Sequence, residues 1–177
     1  MRPAGAEDVD RLVAWHADPE VSRFWDDETF TRAEMEERLA RPDVDAWIVE
    51  ESGDPVGYLQ THPEGLDMFL VPAARGRGIG PEAGRAMARH LLHDRGYPRV
   101  TVDPYEWNDA AVRAWERAGF VEISRGHPPD EDHRRVGPHG VPRQSFAANR
   151  FVNSVSSPRA PARDDNDSLR RLTATSC

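Results

Sequence analysis

The chain has 177 residues, enough for one domain with a sizeable core and too few for two comfortable ones. Its formal net charge is −8, and residues 1–126 hold 25 acidic against 15 basic side chains, a balance that argues against nucleic acid and favours a cationic partner, although an acidic surface also serves plain solubility. Apolar stretches such as Met68–Pro72 fall far short of a membrane span, and the start, Met1–Gly5, has no apolar signal core.

Ala6–Asp18 carries Ala6, Val9, Leu12, Val13 and Ala17 at helical spacing. Pro19–Trp25 reads as a short second helical segment ending in Phe24-Trp25, followed by the acidic run Asp26-Asp27-Glu28. Thr31-Arg32-Ala33-Glu34 has the pattern of a capping box, and Met35, Leu39 and Ala40 continue it as a helix. The period then changes to that of strands: Ala46–Val49, a turn at Ser52–Pro55, a returning strand Val56–Thr61, and a third at Leu66–Val71. A glycine-rich turn, Arg75-Gly76-Arg77-Gly78-Ile79-Gly80, opens a long helix from about Pro81 to Arg95, stopped by Gly96. Val100–Val102 reads as a buried strand, Asn108–Ala118 as a helix closed by Gly119, and Phe120–Ser124 as a final strand.

Helices, three antiparallel strands, helix, strand, helix, strand: this order predicts an α+β domain over residues 1–125 and not a regular βαβ array. From residue 126 to 177, prolines, arginines and serines dominate and no periodic apolar face persists, so this tail is expected to be disordered or weakly attached. The only cysteine, Cys177, cannot close an internal disulfide, and the cytoplasm is the expected compartment.

The glycine turn carries the sharpest chemical signal. Without Cβ atoms in the way, Gly76, Gly78 and Gly80 let backbone N–H groups converge on one concavity at a helix start, a setting for pyrophosphate to which Arg75 and Arg77 can add charge. The plain alternative is a flexible loop. A dinucleotide site is the other: Gly78-Ile79-Gly80-Pro81-Glu82-Ala83 fits G-x-G-x-x-A, and Asp103 ends the next strand. Against it, Pro72–Arg75 separate the strand from the first glycine, and further βαβ units are lacking.

Arg75-x-x-Gly78-x-Gly80 opening a helix, followed by Asn108 and then Ala118-Gly119-Phe120, resembles the GCN5-related N-acetyltransferase (GNAT) family over most of residues 1–125. Val56–Gln60, Gly65–Leu70 and Val102-Asp103-Pro104 are together similar to the bacterial aminoglycoside 6′-N-acetyltransferases, a pattern that siderophore-type acyltransferases share in large part. The resemblance implies a mixed, mostly antiparallel sheet with a splayed central pair, flanked by helices. It also implies acetyl-CoA as co-substrate, a small cationic amine as acceptor, no metal, and a monomer or homodimer. Pantetheine would pair with strand backbone near Phe69 and Leu70, the pyrophosphate would rest on Gly76–Gly80, and Asn108 would contact the coenzyme arm.

An ammonium acceptor must lose a proton before it can attack, and a carboxylate can take it. Asp67, two residues before Phe69 and so on the same strand face, matches the aspartate with this role in the aminoglycoside enzymes. Asp103 matches an acidic position facing the acceptor, and its Asp-Pro context equally suits a turn. Trp25, Asp26 and Asp27 fall where the family builds its acceptor pocket, or form a solvated acidic loop. Two departures stand out. Trp115 occupies the position where many members carry a thiolate-protonating tyrosine, and indole N–H is no usable acid. No closing aromatic strand is legible after Ser124, and His127–Cys177 reads like unrelated sequence. A catalytically silent coenzyme-binding protein is therefore an alternative, beside an NAD-binding oxidoreductase. His90 and His93, three apart on one helix, read as surface residues for want of further ligands.

Overall fold

The computed structural model of the chain describes residues 1–63, 65–126 and 143–149. One sheet of seven strands runs in the order β1-β2-β3-β4-β5-β7-β6. The strands are β1 (Arg2–Pro3), β2 (Asp45–Glu51), β3 (Asp54–His62), β4 (Gly65–Leu70), β5 (Arg99–Val102), β6 (Val121–Gly126) and β7 (Arg143–Asn149). Every pairing is antiparallel except that of β4 with β5. The helices are α1 (Val9–His16), α2 (Pro19–Ser22), α3 (Arg32–Leu39), α4 (Ile79–Arg89) and α5 (Asp109–Ala118). This is the mixed α+β architecture expected from the order of elements, and it leaves no room for a doubly wound dinucleotide fold.

Strand alternation divides the core in two. Leu59, Leu66, Val100, Val102 and Phe146 face one way and pack with Met87, Leu91 and Trp115 of the α4–α5 layer, joined by Met68 and Leu70. Ile48, Tyr58 and Phe69 face the other way, against Val9, Leu12, Val21 and Met35 of α1–α3. Local chemistry fixes the helix starts. Thr31 Oγ1 accepts from the Glu34 amide at 3.3 Å while Glu34 Oε2 accepts from the Thr31 amide at 2.7 Å, the reciprocal capping predicted from the sequence. Asp18 caps α2 through the Glu20 amide at 2.9 Å, with Pro19 in the first turn.

The expected helix over 6–18 starts instead as a 3₁₀ turn, Ala6–Asp8, and becomes α-helical at Val9. Asp8 is fully buried and accepts from Arg2 Nη1 and Nη2 at 2.6 and 2.7 Å, from Arg11 at 2.8 Å and from the Gly5 amide at 3.0 Å. These partners hold its carboxyl below the usual range and fasten the short β1 to the helical layer. The long helix begins at Ile79 and ends in a π-helical turn, His90–Asp94, before Gly96 at φ +76°.

One expectation is overturned. A strand does follow Ser124: β7 inserts between β5 and β6, pairing Val102 with Phe146 on one side and Glu122 with Phe146 on the other. Its pattern, Gln144-Ser145-Phe146-Ala147-Ala148, is short and carries one large apolar residue, so its partner is set by burial of Phe146 across the sheet and not by local periodicity. The rest of the predicted tail, 127–142 and 150–177, lies outside the described residues. Among the described residues no helix is long and apolar enough to cross a membrane.

Candidate active site

β4 and β5 share a single pairing, Gly65 with Thr101. A Cβ on Gly65 would lie 2.5 Å from the Thr101 carbonyl oxygen, so only glycine lets the two backbones meet this closely. Beyond that point the strands part, and a cleft of about 240 Å³ opens between them. Leu66, Asp67 and Met68 line it from β4, and Val102, Asp103 and Pro104 from the β5 side. Trp25, Asp26 and Glu28 close it from the α2–α3 loop, and Asn108, Ala111 and Trp115 from α5.

The structure therefore brings together Trp25 and Asp26, Asp67, Asp103, and Asn108 from four separate stretches of sequence. Asp27 is exposed and does not line the cleft, although it shares with Asp26 a left-handed backbone, at φ +54° and +53°. Asp26 accepts from the Tyr105 hydroxyl, which ties the α2–α3 loop to the β5–α5 loop. Asp103 accepts from Ser145 on β7. The Asn108 side chain caps α5, accepting from the Ala111 amide at 3.1 Å.

Asp67 is half-exposed at the cleft, with 41 % of its side chain open. Gln60 Nε2 donates to its Oδ2 at 2.8 Å, and His62 Nε2 stands 3.9 Å away. Gln60 Oε1 in turn accepts from Arg38 Nη2 at 3.0 Å and Nε at 3.3 Å, and from the Tyr58 hydroxyl at 3.3 Å. Four carboxylates, Asp26, Glu28, Asp67 and Asp103, thus border one small opening that holds a single guanidinium, Arg38. Such a wall is complementary to a ligand with several positive charges.

Phe69 and Leu70 point away from the cleft. Phe69 is buried against Trp15, His16, Trp25 and Tyr58, and Leu70 packs toward α4. The Leu70 carbonyl accepts from Arg75, and the β4 edge away from β3 has no ladder partner beyond Gly65 among the described residues.

In the glycine turn, Gly76 and Gly78 stand at φ +74° and +84°, with open space where side chains would be. Ile79 and Gly80 begin α4, where amides have no intrahelical acceptor. The two arginines are engaged elsewhere. Arg75 donates to the Leu70 carbonyl at 3.0 Å and the Glu20 carbonyl at 2.6 Å, and Arg77 pairs with Glu51 at 2.8 Å. Arg75 thereby braces the end of β4 against α2, and the groups the turn offers an anion are its amides and the α4 dipole.

Sequence reasoning missed Arg38, Gln60, Tyr105 and Ser145. A signal existed for Gln60: it pairs directly across the β3–β4 hairpin with Asp67, so it lies on the same face. Tyr105 and Ser145 had none, since their partners are 79 and 42 residues distant. Trp115 lines the cleft and meets Phe120 edge-on, with ring centroids 5.2 Å apart. His90 bonds Asp94 at 2.9 Å, and among the described residues no group of three or more His, Cys, Asp or Glu is placed to hold a metal ion.

Comparison with known proteins adds an independent line. The acetyltransferase (GNAT) domain family matches residues 1–121. Aminoglycoside N(6′)-acetyltransferase type 1 of Klebsiella pneumoniae is 26% identical over 155 residues, covering 73% of this chain and 77% of that protein. A kanamycin resistance protein of Rhizobium radiobacter is 33% identical over 67 residues, covering 37% of this chain and 62% of that one. Among solved structures, AAC(6′)-Ib in complex with ribostamycin and coenzyme A superposes with a TM-score of 0.74 at 22% identity, covering 91% of this chain and 97% of that chain. Spermidine N-acetyltransferase from Vibrio cholerae, in complex with CoA and spermine, superposes at 0.70 with 12% identity, covering 85% and 95%.

Proposed function

Because the chain belongs to the GNAT acetyltransferase family, we propose that it moves the acetyl group of acetyl-CoA onto a primary amine of an aminoglycoside, at the 6′ position, with Asp67 as base and amine anchor. The observation that carries this reading is the cleft between the parted strands, where four carboxylates border the gap beside a strand edge that has no ladder partner beyond Gly65 among the described residues.

The residues present fit acetyl-CoA. The amides of Gly76–Gly80 and the start of α4 suit its pyrophosphate, and the open edge of β4 near Phe69 and Leu70 suits the amides of its pantetheine arm. Acetyl-CoA supplies an activated acyl carbon that a neutral amine attacks directly, forming a C–N bond as the C–S bond breaks. Asp67 accepts the proton that the ammonium gives up, directly or through one water. Backbone N–H groups on β4 stabilise the negative charge that develops on the carbonyl oxygen. Asp26, Glu28 and Asp103 hold the acceptor's remaining ammonium groups and so orient the one that reacts. The nitrogen sheds its second proton to solvent once it is acylated, and the leaving thiolate takes a proton from solvent, since the Trp115 indole is no usable acid.

The experiment is release of free thiol from acetyl-CoA by the purified chain, with kanamycin, spermidine and an N-hydroxylated lysine offered in parallel. The reading expects turnover with kanamycin, and a kcat lower by about a hundredfold or more in Asp67→Asn. Release only with the hydroxylamine would point to siderophore assembly. Coenzyme binding without release from any amine would leave a silent coenzyme-binding protein, and a wild-type rate in Asp67→Asn would remove Asp67 from the chemistry.

A further inference from the structure

Gln60 is buried, 7% exposed, on β3 inside the sheet, and a buried carboxamide costs free energy unless both its ends are paired. Both are. Its oxygen takes two N–H groups of Arg38 and the Tyr58 hydroxyl, and its nitrogen donates to Asp67. The orientation follows from chemistry: a flipped amide would set its NH₂ against a guanidinium that can only donate and its oxygen against a carboxylate that can only accept. Arg38 is itself held in place, with the Phe30 ring 5.0 Å from its guanidinium carbon and Glu28 at 3.9 Å. Gln60 and Asp67 are register partners in the hairpin, so the strand backbones fix their separation.

From this geometry we propose that Gln60 is a positioning residue for Asp67: Arg38 locks its carboxamide so that it grips one carboxylate oxygen and presents the other to the amine. The proposal rests on the reading of Asp67 as base. It adds a specificity consequence, because Arg38 belongs to α3, the helix beside the acceptor loop, so the set of the base depends on the element that borders the acceptor's entry.

The test compares kcat and both KM values for wild type, Gln60→Met, Arg38→Met and Asp67→Asn in the thiol-release assay with kanamycin. Melting curves are recorded for each. Gln60→Met keeps size and adds no charge, but it can neither accept from Arg38 nor donate to Asp67. A residue needed only for packing would tolerate it. A positioning residue would lose roughly tenfold in kcat, the order expected for one charge-assisted hydrogen bond, with the KM for acetyl-CoA unchanged. Arg38→Met frees the amide to turn and is expected to show the same kcat-confined loss. It carries the test should Gln60→Met not melt cooperatively. A wild-type kcat in a folded Gln60→Met, or a loss in Arg38→Met expressed in the KM for acetyl-CoA, overturns the assignment while Asp67→Asn remains impaired. An unimpaired Asp67→Asn overturns the base reading itself, and this one with it.

Discussion

His16 shows how far a single residue can depart from its sequence appearance. It ends the amphipathic α1, where a histidine usually meets water, yet it is fully buried. Trp25, Phe30, Tyr58 and Phe69 surround it edge-on, with centroids 4.8–5.9 Å away. Neither ring nitrogen has a partner among the described residues. Burial, and secondarily the nearby Arg38 charge, push its pKa down to about 4 from 6.5. Its folded pKa lies below its unfolded value, so the neutral ring favours the fold fully above pH 6.5, and that stability is lost as pH falls from 6.5 toward 4. The loss is about 2 kcal/mol at pH 5, and urea unfolding at pH 7.5 and pH 5 measures it. His16→Leu is expected to flatten that slope. The Asp8 carboxyl, depressed by Arg2, acts at lower pH: its contribution is present above the ordinary carboxylate range and fades as pH falls through its folded value.

At the scale of elements, the crossing of α4 and α5 supports one wall of the cleft. A Cβ on Gly84 of α4 would lie 2.6 Å from Trp115 Cζ3, so the indole fits where no side chain stands. Helix propensity alone makes Gly84→Ala stabilising by about 1 kcal/mol. The overlap reverses the sign, because Phe120 also packs against the ring, and overpacking of this kind costs about 1–3 kcal/mol. The melting temperature is expected to fall by roughly 5 °C; a rise would mean that the ring can yield. Trp115 thus serves packing, and its indole N–H is no usable acid.

At the scale of the molecule, the sheet depends on a strand remote from its partners. Phe146 is fully buried beside Val100, Val102 and Phe120, and β7 supplies the ladder for both β5 and β6. Phe146→Ala is expected to cost about 4 kcal/mol by denaturant unfolding. A chain ending at residue 126 leaves β5 and β6 without their common neighbour, and it is expected to show no cooperative melting transition. β7 also reaches the cleft, through the Gln144 amide on the Pro104 carbonyl at 2.9 Å and through Ser145 on Asp103.

The sequence by itself determined what local pattern can encode. The capping box of α3, the β3–β4 hairpin, the glycine turn into α4 and the face carrying Asp67 all follow from residue type and spacing within about ten positions. From these the family and one strand carboxylate of the site were legible. The tertiary structure decided the rest: that β7 enters the sheet, that Asp26 and Asp103 join Asp67 while Asp27 does not, that Arg75 braces the chain, and that Gln60, held by Arg38, donates to Asp67. The physical reason is common to them all. Each depends on which groups lose water together across strands and loops tens of residues apart, and burial and pairing over such separations leave no period in the sequence.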